Sequence, residues 1–503
     1  MQRQHRGAVL VALMLTMALA AMDTTIVATA IPQVVSDLGG FSSFTWVFSA
    51  YLLAQTVTIP VYGKLADLYG RKPVLLVGAV IFLVGSAACA ASPGMLALIL
   101  FRVLQGLGAG SIQATVSTLA GDLYSLAERG RVQGWLSSVW GIAAVAGPTL
   151  GGAFAQYASW RWIFLVNLPI GAVAITLILR YLHEDVQRRR HRIDYAGAAL
   201  VLLAAVALFL GLLQGGTSWS WLSTPSVAVF AAAAAFAVAA FMVERRAAEP
   251  IMPPWVWRRR VLTGSNLAML GLGLLVIGPS TFLPTYAQSL LGLGPIEAGL
   301  TLATMSIGWP LCSALSPKLY LRIGFRDTAL LGALLCVAAT IGYALLPDGG
   351  HLWQLVLATL VLGAGFGLLS TPIVVGIQSG VGWAARGVVT GTSMFCRYLG
   401  QGLGAAVFGA VANTTMANRL AAAPPSLRGR VPADVNAVAG ALGHRSGRAT
   451  PEGDFLRQVL YAGTHHVFLG LVAVAAVTVV ILIRVTPRHF PVTPEQRVTA
   501  GKR

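Results

Sequence analysis

The sequence predicts an all-α polytopic membrane protein with fourteen spanning helices, built as two six-helix bundles plus an inserted helix pair. Three observations predict it. Apolar residues fill 56% of 503 positions and charged residues only 10%, against about 25% charged in soluble domains; mean hydropathy is +0.75. Fourteen apolar runs approach about 20 residues, the length that crosses a bilayer as a helix. The basic residues then fall almost wholly on one side of those runs.

The first run, 9–31, follows Arg3 and Arg6 and so imitates a signal peptide. Asp23 interrupts it, and it extends to Ile31-Pro32, too long and too charged for a cleaved segment. It is read as a retained helix that Pro32 closes. Runs 45–64 and 74–92 flank a charged turn, and runs 95–118, 132–156 and 162–181 complete a first bundle over 1–181. The fifth run is the least regular, loosened by Gly147-Pro148 and Gly151-Gly152. Runs 197–215 and 225–243 form the inserted pair, within 182–261. Runs 262–286, 297–316, 327–346, 352–377, 386–411 and 462–484 form the second bundle, 262–484, with a long external loop at 412–461 and a cytoplasmic tail at 485–503. That loop is rich in Ala, Arg, Gly and Pro, and is expected to hold a short hairpin or to be partly disordered.

Charge fixes the orientation. Of the 35 Lys and Arg, Arg102 and Arg397 fall inside runs, Arg161 alone lies in a short external loop, six lie in or beside 412–461, and the rest are cytoplasmic if the N-terminus is inside. Long loops translocate largely regardless of charge, so both termini are assigned to the cytoplasm. The runs Arg188-Arg189-Arg190-His191-Arg192 and Arg258-Arg259-Arg260 read as topology anchors, with lipid binding as the alternative. The net charge of +18 therefore reflects cytoplasmic loops and not a nucleic-acid partner; no basic stretch is long or aromatic enough to form a groove. Cys89, Cys312, Cys336 and Cys396 all sit in apolar runs and read as small core residues, without a disulfide or metal framework. His465 and His466 read as interfacial residues, not as a metal site.

The turn at 63–74 reads Gly-Lys-Leu-Ala-Asp-Leu-Tyr-Gly-Arg-Lys-Pro-Val. A polar link between two spans must lie at the water interface, because lipid cannot hydrogen-bond backbone. Gly63 is expected to allow close helix approach, Asp67 to meet a helix N-terminus or a cation, and Arg71 and Lys72 to face the cytoplasm. A decayed copy, Pro317 to Arg326, aligns without a gap: Lys318 matches Lys64 and Gly324 matches Gly70, while Pro317 and Leu321 replace Gly63 and Asp67. The working contact is therefore assigned to the N-terminal copy.

Asp23 is the sharpest functional candidate, because an intramembrane carboxylate is expensive to bury. It can bind and release a proton, or it can be a structural counter-ion for Arg102. At 1.5 Å rise per residue, Asp23 lies roughly 21 Å along the first run and Arg102 roughly 11 Å down the fourth, so both fall at similar depth. Gln105 follows Arg102 by one turn. Gly106, Gly108 and Gly110 lie in an apolar run with no preceding strand, so they pack helices and bind no dinucleotide. Gly63-Lys64 lacks phosphate-loop spacing, which leaves no sign of an ATP engine. Gly141, Gly147, Pro148, Gly151 and Gly152 can serve a bending segment or a static small-residue seam. Arg397 lies about 16 Å into its run, where it must face Asp23, carbonyls, water or substrate. Cavity candidates are Trp46, Tyr51, Gln105, Trp140, Phe282, Tyr286, Trp309, Phe395 and Arg397.

Met22 to Pro32, Gly63 to Val74, Arg102 to Gly110, Gly141 to Gly152 and Trp160 to Pro169 together resemble the fourteen-helix drug:proton antiporter branch of the major facilitator superfamily. The resemblance covers the whole chain and implies the major facilitator fold. It implies proton coupling at Asp23 and Arg102, and an antiporter motif on the fifth helix. It also implies a conformational motif of Gly63, Asp67, Gly70, Arg71, Lys72 and Asp122, in which Asp67, Arg71 and Asp122 form a cytoplasmic charge cluster that steadies the outward-open state. Some polyspecific members place extra carboxylates in the tenth or thirteenth helix; this chain has none deep in either, which argues against a strong preference for dications. The expected function is proton-coupled export of amphipathic drugs or toxic small molecules across the cytoplasmic membrane, by a monomer without cofactors or catalytic residues. The alternatives are a dedicated exporter of one metabolite, antibiotic or lipid, and a non-transporting sensor or scaffold.

Overall fold

The computed structural model describes residues 6–39, 45–184, 194–215, 219–247, 249–427, 429–432 and 450–490. The basic run Arg188 to Arg192, the middle of the expected external loop at 433–449 and the tail beyond Phe490 lie outside the described residues. Fourteen long helices take the places of the fourteen runs, and the described residues contain no strand. They are α1 Arg6–Leu38, α2 Thr45–Tyr69, α3 Arg71–Ala90, α4 Met95–Leu123, α5 Leu126–Tyr157, α6 Asn167–Tyr181, α7 Tyr195–Gln214, α8 Thr224–Glu244, α9 Arg260–Ser289, α10 Pro295–Ile323, α11 Phe325–Ala344, α12 Leu352–Ser379, α13 Arg386–Ala421 and α14 Pro451–Arg484. Eleven spans are apolar enough to cross a membrane by length and composition. The other three helices are α2, α5 and α13.

Several boundaries differ from expectation. Pro32 does not close the first helix, whose backbone continues to Leu38. Gly147-Pro148 does not interrupt α5, which is continuous from Leu126 to Tyr157. The sixth span enters through a single turn, Trp162–Leu165, before α6. Much of the expected 412–461 loop is helix, because α13 extends to Ala421 and α14 begins at Pro451. The segment between α8 and α9 contains a short helix, Pro254–Arg258, which a run of Pro, Trp and Arg did not announce.

Two seams join the bundles. Helix α5 packs along α10, and α2 packs along α13. Glycine makes both possible: a Cβ at Gly63 would come within 2.5 Å of the Gly387 carbonyl oxygen, and one at Gly130 within 2.3 Å of the Pro317 ring. The decayed repeat thus also makes an interbundle contact, against the expectation that only the first copy does. It kept the close approach and the turn, with Gly70 at φ 95° and Gly324 at φ 90°, a region glycine enters without strain. It lost the charges of Asp67 and Arg71, where Leu321 and Phe325 stand. Helices α7 and α8 pack on each other, and α7 touches α2 and α13 at the edge of one seam. Only 17% of the α8 span is buried, against 83% of the α12 span, so the inserted pair is peripheral.

The Tyr124 hydroxyl donates to the Arg6 carbonyl at 2.8 Å, and Arg260 donates to the Arg484 carbonyl at 2.8 Å. Both described ends of the chain therefore share one face with the Gly70 and Gly324 turns, the terminal face of the molecule.

Candidate functional site

The polar centre of the first bundle grows from five helices. Asp23 on α1 is fully buried, as are Arg102 and Gln105 on α4. Arg102 pairs with Asp23 through Nη1, which also donates to Gln105 Oε1 at 2.8 Å. Gln105 Nε2 donates to the other Asp23 oxygen at 2.8 Å and lies 3.2 Å from Ser86 Oγ on α3. Asn167, the first residue of α6, donates to the same Ser86 Oγ at 3.0 Å. Arg102 Nε donates to the Val47 carbonyl at 3.0 Å, and the guanidinium lies 4.1 Å from the Tyr51 ring centroid. Each charge is thus neutralised and hydrogen-bonded, the condition under which a buried pair is tolerated. Protonating Asp23 removes the charge term and leaves Arg102 with a carbonyl, an amide oxygen and a ring.

A second charged group closes the terminal face. Asp67 accepts from the Gly387 and Val388 amides, both at 2.8 Å, and from Arg71 Nη2 at 2.7 Å. The amides are the first of α13, so the carboxylate of one bundle caps a helix of the other. Asp122 Oδ2 lies 2.9 Å from Arg71 Nε, and its other oxygen lies 2.7 Å from Arg386 Nη1. Arg71 also donates to the Ala66 and Trp383 carbonyls and lies 3.6 Å over the Trp383 ring. Two cations face two anions, and the group spans the interbundle seam. The expectation that Arg71 faces the cytoplasm is corrected: its side chain is wholly buried, because two carboxylates and a tryptophan ring enclose it. Lys72 is the solvent-side residue, donating from Nζ to the Leu179 carbonyl.

On α5, Gly147 and Gly151 press on Thr25 and Thr29 of α1, with the Thr25 hydroxyl 2.9 Å from the Ala143 carbonyl. Gly141 faces Ser306 of α10, a Cβ at Gly152 would meet nothing within 4 Å, and Pro148 is exposed. The motif therefore serves two contacts at once, α1 within the bundle and α10 across the seam.

A family model described as Major Facilitator Superfamily matches residues 13–405. The chain belongs to this superfamily. Similar proteins include Multidrug resistance protein 3 of Bacillus subtilis (strain 168), 35% identical over 84% of this chain and 82% of that protein. Multidrug transporter protein MdtP of the same organism is 34% identical over 83% of this chain and 77% of its own length. Among solved structures, the human organic anion transporter MFSD10 (TETRAN) superposes with a TM-score of 0.62 at 15% identity, covering 96% of this chain and 100% of that one. That likeness concerns the fold.

As a Major Facilitator Superfamily transporter, the chain is read for residues facing the space between bundles. Trp46, Trp140, Phe282, Trp309, Phe395 and Arg397 are half-buried. Three candidates are corrected. Tyr51 is fully buried beneath Arg102. Gln105 is consumed by the Asp23 network. Tyr286 is core, with its hydroxyl on the Pro347 carbonyl and its ring against Phe468. A cavity of about 580 Å³ does occur, but on the terminal face, lined among others by Lys64, Glu244, Glu249, Trp255 and Arg258. It stands apart from Asp23.

Sequence reasoning missed Ser86, Asn167, Glu184 and Arg386. Glu184 accepts from the Arg71 and Lys72 amides at 2.9 and 2.8 Å, so it caps α3 from across the bundle. Asn167 lies in the quoted Trp160 to Pro169 stretch, where an amide in an apolar run was the available signal. Arg386 looked like one more basic residue at a helix start.

Proposed function

We propose that this transporter is a proton-coupled antiporter that exports amphipathic drugs or toxic small molecules across the cytoplasmic membrane. Both termini lie in the cytoplasm, so the terminal face is the cytoplasmic face, and the monomer works by alternating access. The observation that carries the reading is the buried Asp23–Arg102–Gln105 network, joined to the interbundle gate by one helix. Arg102 and Asp122 lie on α4, about 30 Å apart at 1.5 Å per residue. The export direction is supported by the printed names of the relatives, a multidrug resistance protein and a multidrug transporter.

With the gate closed toward the cytoplasm, a proton reaching Asp23 from outside neutralises the carboxylate and frees α1 from α4. The bundles 1–181 and 262–484 then rock about the α2–α13 and α5–α10 seams. Deprotonation to the cytoplasm restores the ion pair. One proton contributes about 2.3 kcal/mol per 100 mV of membrane potential, enough for substantial accumulation. The inserted pair rides at the edge of the α2–α13 seam, and α5 acts as the sliding surface.

The test uses everted vesicles, acid inside, and uptake of a panel of fluorescent amphipathic compounds. The native protein should accumulate dye, and Asp23→Asn at equal expression should not. Uptake that survives complete collapse of the proton gradient would overturn the coupling.

A further inference from the structure

We propose that Arg397, backed by Trp309, binds the negative group of the substrate, so that this chain prefers amphipathic organic anions, carboxylates or sulfonates, over cations. The inference rests on the transport reading above and names the substrate class of the same central space.

Arg397 is fixed in place by its backbone. Its carbonyl oxygen lies where a Cβ on Gly273 of α9 would come within 2.0 Å, and one turn later Gly400 presses equally closely on the Leu270 carbonyl. The α9–α13 contact therefore sets the rotation of α13 at this position. The side chain reaches to α10, where the guanidinium carbon lies 4.9 Å from the Trp309 ring centroid; the Tyr398 ring is 5.8 Å away. Trp309 is itself held, by its Nε1 donating to Ser370 Oγ at 3.2 Å and by edge packing on Phe366. Helices α10 and α13 are the two that form the interbundle seams. A side chain running from one to the other crosses the face that the second bundle turns toward the first. The neighbouring residue agrees: Tyr398 packs with Ile59 of α2 and Ala114 of α4.

Among the described residues, no carboxylate pairs with Arg397. Its Nε is shielded from solvent with no hydrogen-bond partner among the described residues. Arg102 has a carboxylate and Arg71 has two. Both oxygens of Asp23 are taken by Arg102 and Gln105. The acidic residues described in the second bundle, Glu297, Asp327, Asp348, Glu452 and Asp454, stand at helix ends or turns. Away from the terminal face and the helix ends, the charges within the described spans are Asp23, Arg102 and Arg397, one positive charge in excess. Cation–π contact with Trp309 offsets only part of what a charge at bilayer depth costs. A guanidinium offers a planar, paired donor edge that fits a carboxylate or sulfonate, and the Trp309 face holds that edge in orientation. An anionic headgroup supplies the missing charge. A cationic substrate meets repulsion at the same point.

The test needs no proton gradient. Full-length protein in lipid nanodiscs is titrated calorimetrically, in chloride-free gluconate buffer, with dansylglycine (anion), dansylcadaverine (cation) and dansylamide (neutral). Dansylglycine should bind the native protein at least tenfold tighter than dansylcadaverine. Arg397→Gln should weaken dansylglycine at least tenfold and leave the other two within about twofold; Arg397→Lys should fall between. Equal loss of all three ligands in Arg397→Gln would make the residue structural and overturn the proposal. So would a native protein that prefers the cation or binds no dansylglycine, a comparison that stands even if no variant folds. Loss of gradient-driven uptake in Asp23→Asn with this charge preference intact leaves the anion site standing. Charge preference absent with coupling intact removes the anion site alone.

Discussion

Asp23 accepts on one oxygen from Arg102 and on the other from Gln105, so removing either partner has a different cost. Asp23→Ala leaves Arg102 charged and buried against a ring and two oxygens. Breaking one side of a buried pair destabilises by about 3–5 kcal/mol. Asp23→Asn keeps a polar group in place and should lose less. The double change Asp23→Asn with Arg102→Gln should recover part of the loss, since both charges leave together. Thermal unfolding of the three variants in one detergent checks the order, Asp23→Ala lowest. A double variant no more stable than Asp23→Ala would show that Arg102 is held chiefly by Val47 and Tyr51. At this scale the sequence was informative where charge interrupts an apolar run, as at Asp23, Arg102 and Arg397. Ser86 and Asn167 escaped because neutral polar residues are common in such runs and only tertiary contact tells which are used.

Helices meet where glycine lets them, and the seams show what each glycine faces. A Cβ at Gly63 would lie 2.5 Å from the Gly387 carbonyl oxygen, a backbone atom that cannot turn aside. Gly63→Ala should therefore push α2 from α13 on the terminal face while leaving the first bundle folded. Spin labels at Tyr69 and Ala384, on a background with its cysteines replaced, should report a longer and broader distance than in the native sequence. An unchanged distance would mean that the α13 backbone yields. Gly147→Val tests the other element. Thr25 lies where the new side chain must go, so α1 and α5 must separate. Overpacking typically costs about 1–3 kcal/mol, read as a lower unfolding temperature. Gly63 on α2 and the glycine-rich stretches of α4 and α5 were legible as packing surfaces. Their partners were not, because periodicity within one helix carries no record of which neighbour fills the groove. The same limit placed Tyr51 and Tyr286 among lining candidates when both are core. Length was legible except at the ends: the residues past the apolar run, as in 412–421 and 451–461, remain helical.

At the scale of the molecule, fourteen long helices followed from hydropathy, eleven of them long and apolar enough to cross a membrane among the described residues. The gate was only half visible, because its fourth charge, Arg386, and the α13 amides come from residues more than 300 positions beyond Asp67. This distance in sequence is the functional point. Asp67, Arg71 and Asp122 belong to the first bundle; Arg386 and the capped amides belong to the second. Opening the terminal face breaks the Asp122–Arg386 pair, the Asp67 contacts with the α13 amides and the Arg71 contact with the Trp383 carbonyl together. Asp67→Asn keeps one acceptor oxygen but removes a charge from both Arg71 and the α13 N-terminus. The closed state should lose on the order of 2 kcal/mol, from the charge on two amide hydrogen bonds that cross the seam. A shift of that size moves a two-state population by more than tenfold. The Tyr69–Ala384 spin-label distance should then populate a long component that the native protein lacks, while gradient-driven uptake falls and dansylglycine still binds. Arg386→Gln should act in the same direction, because it leaves one Asp122 oxygen without its cation. If either variant keeps the single short distance, the charge group does not set the balance between states. The seams themselves, glycine against carbonyl along α2–α13 and α5–α10, would then hold the terminal face shut.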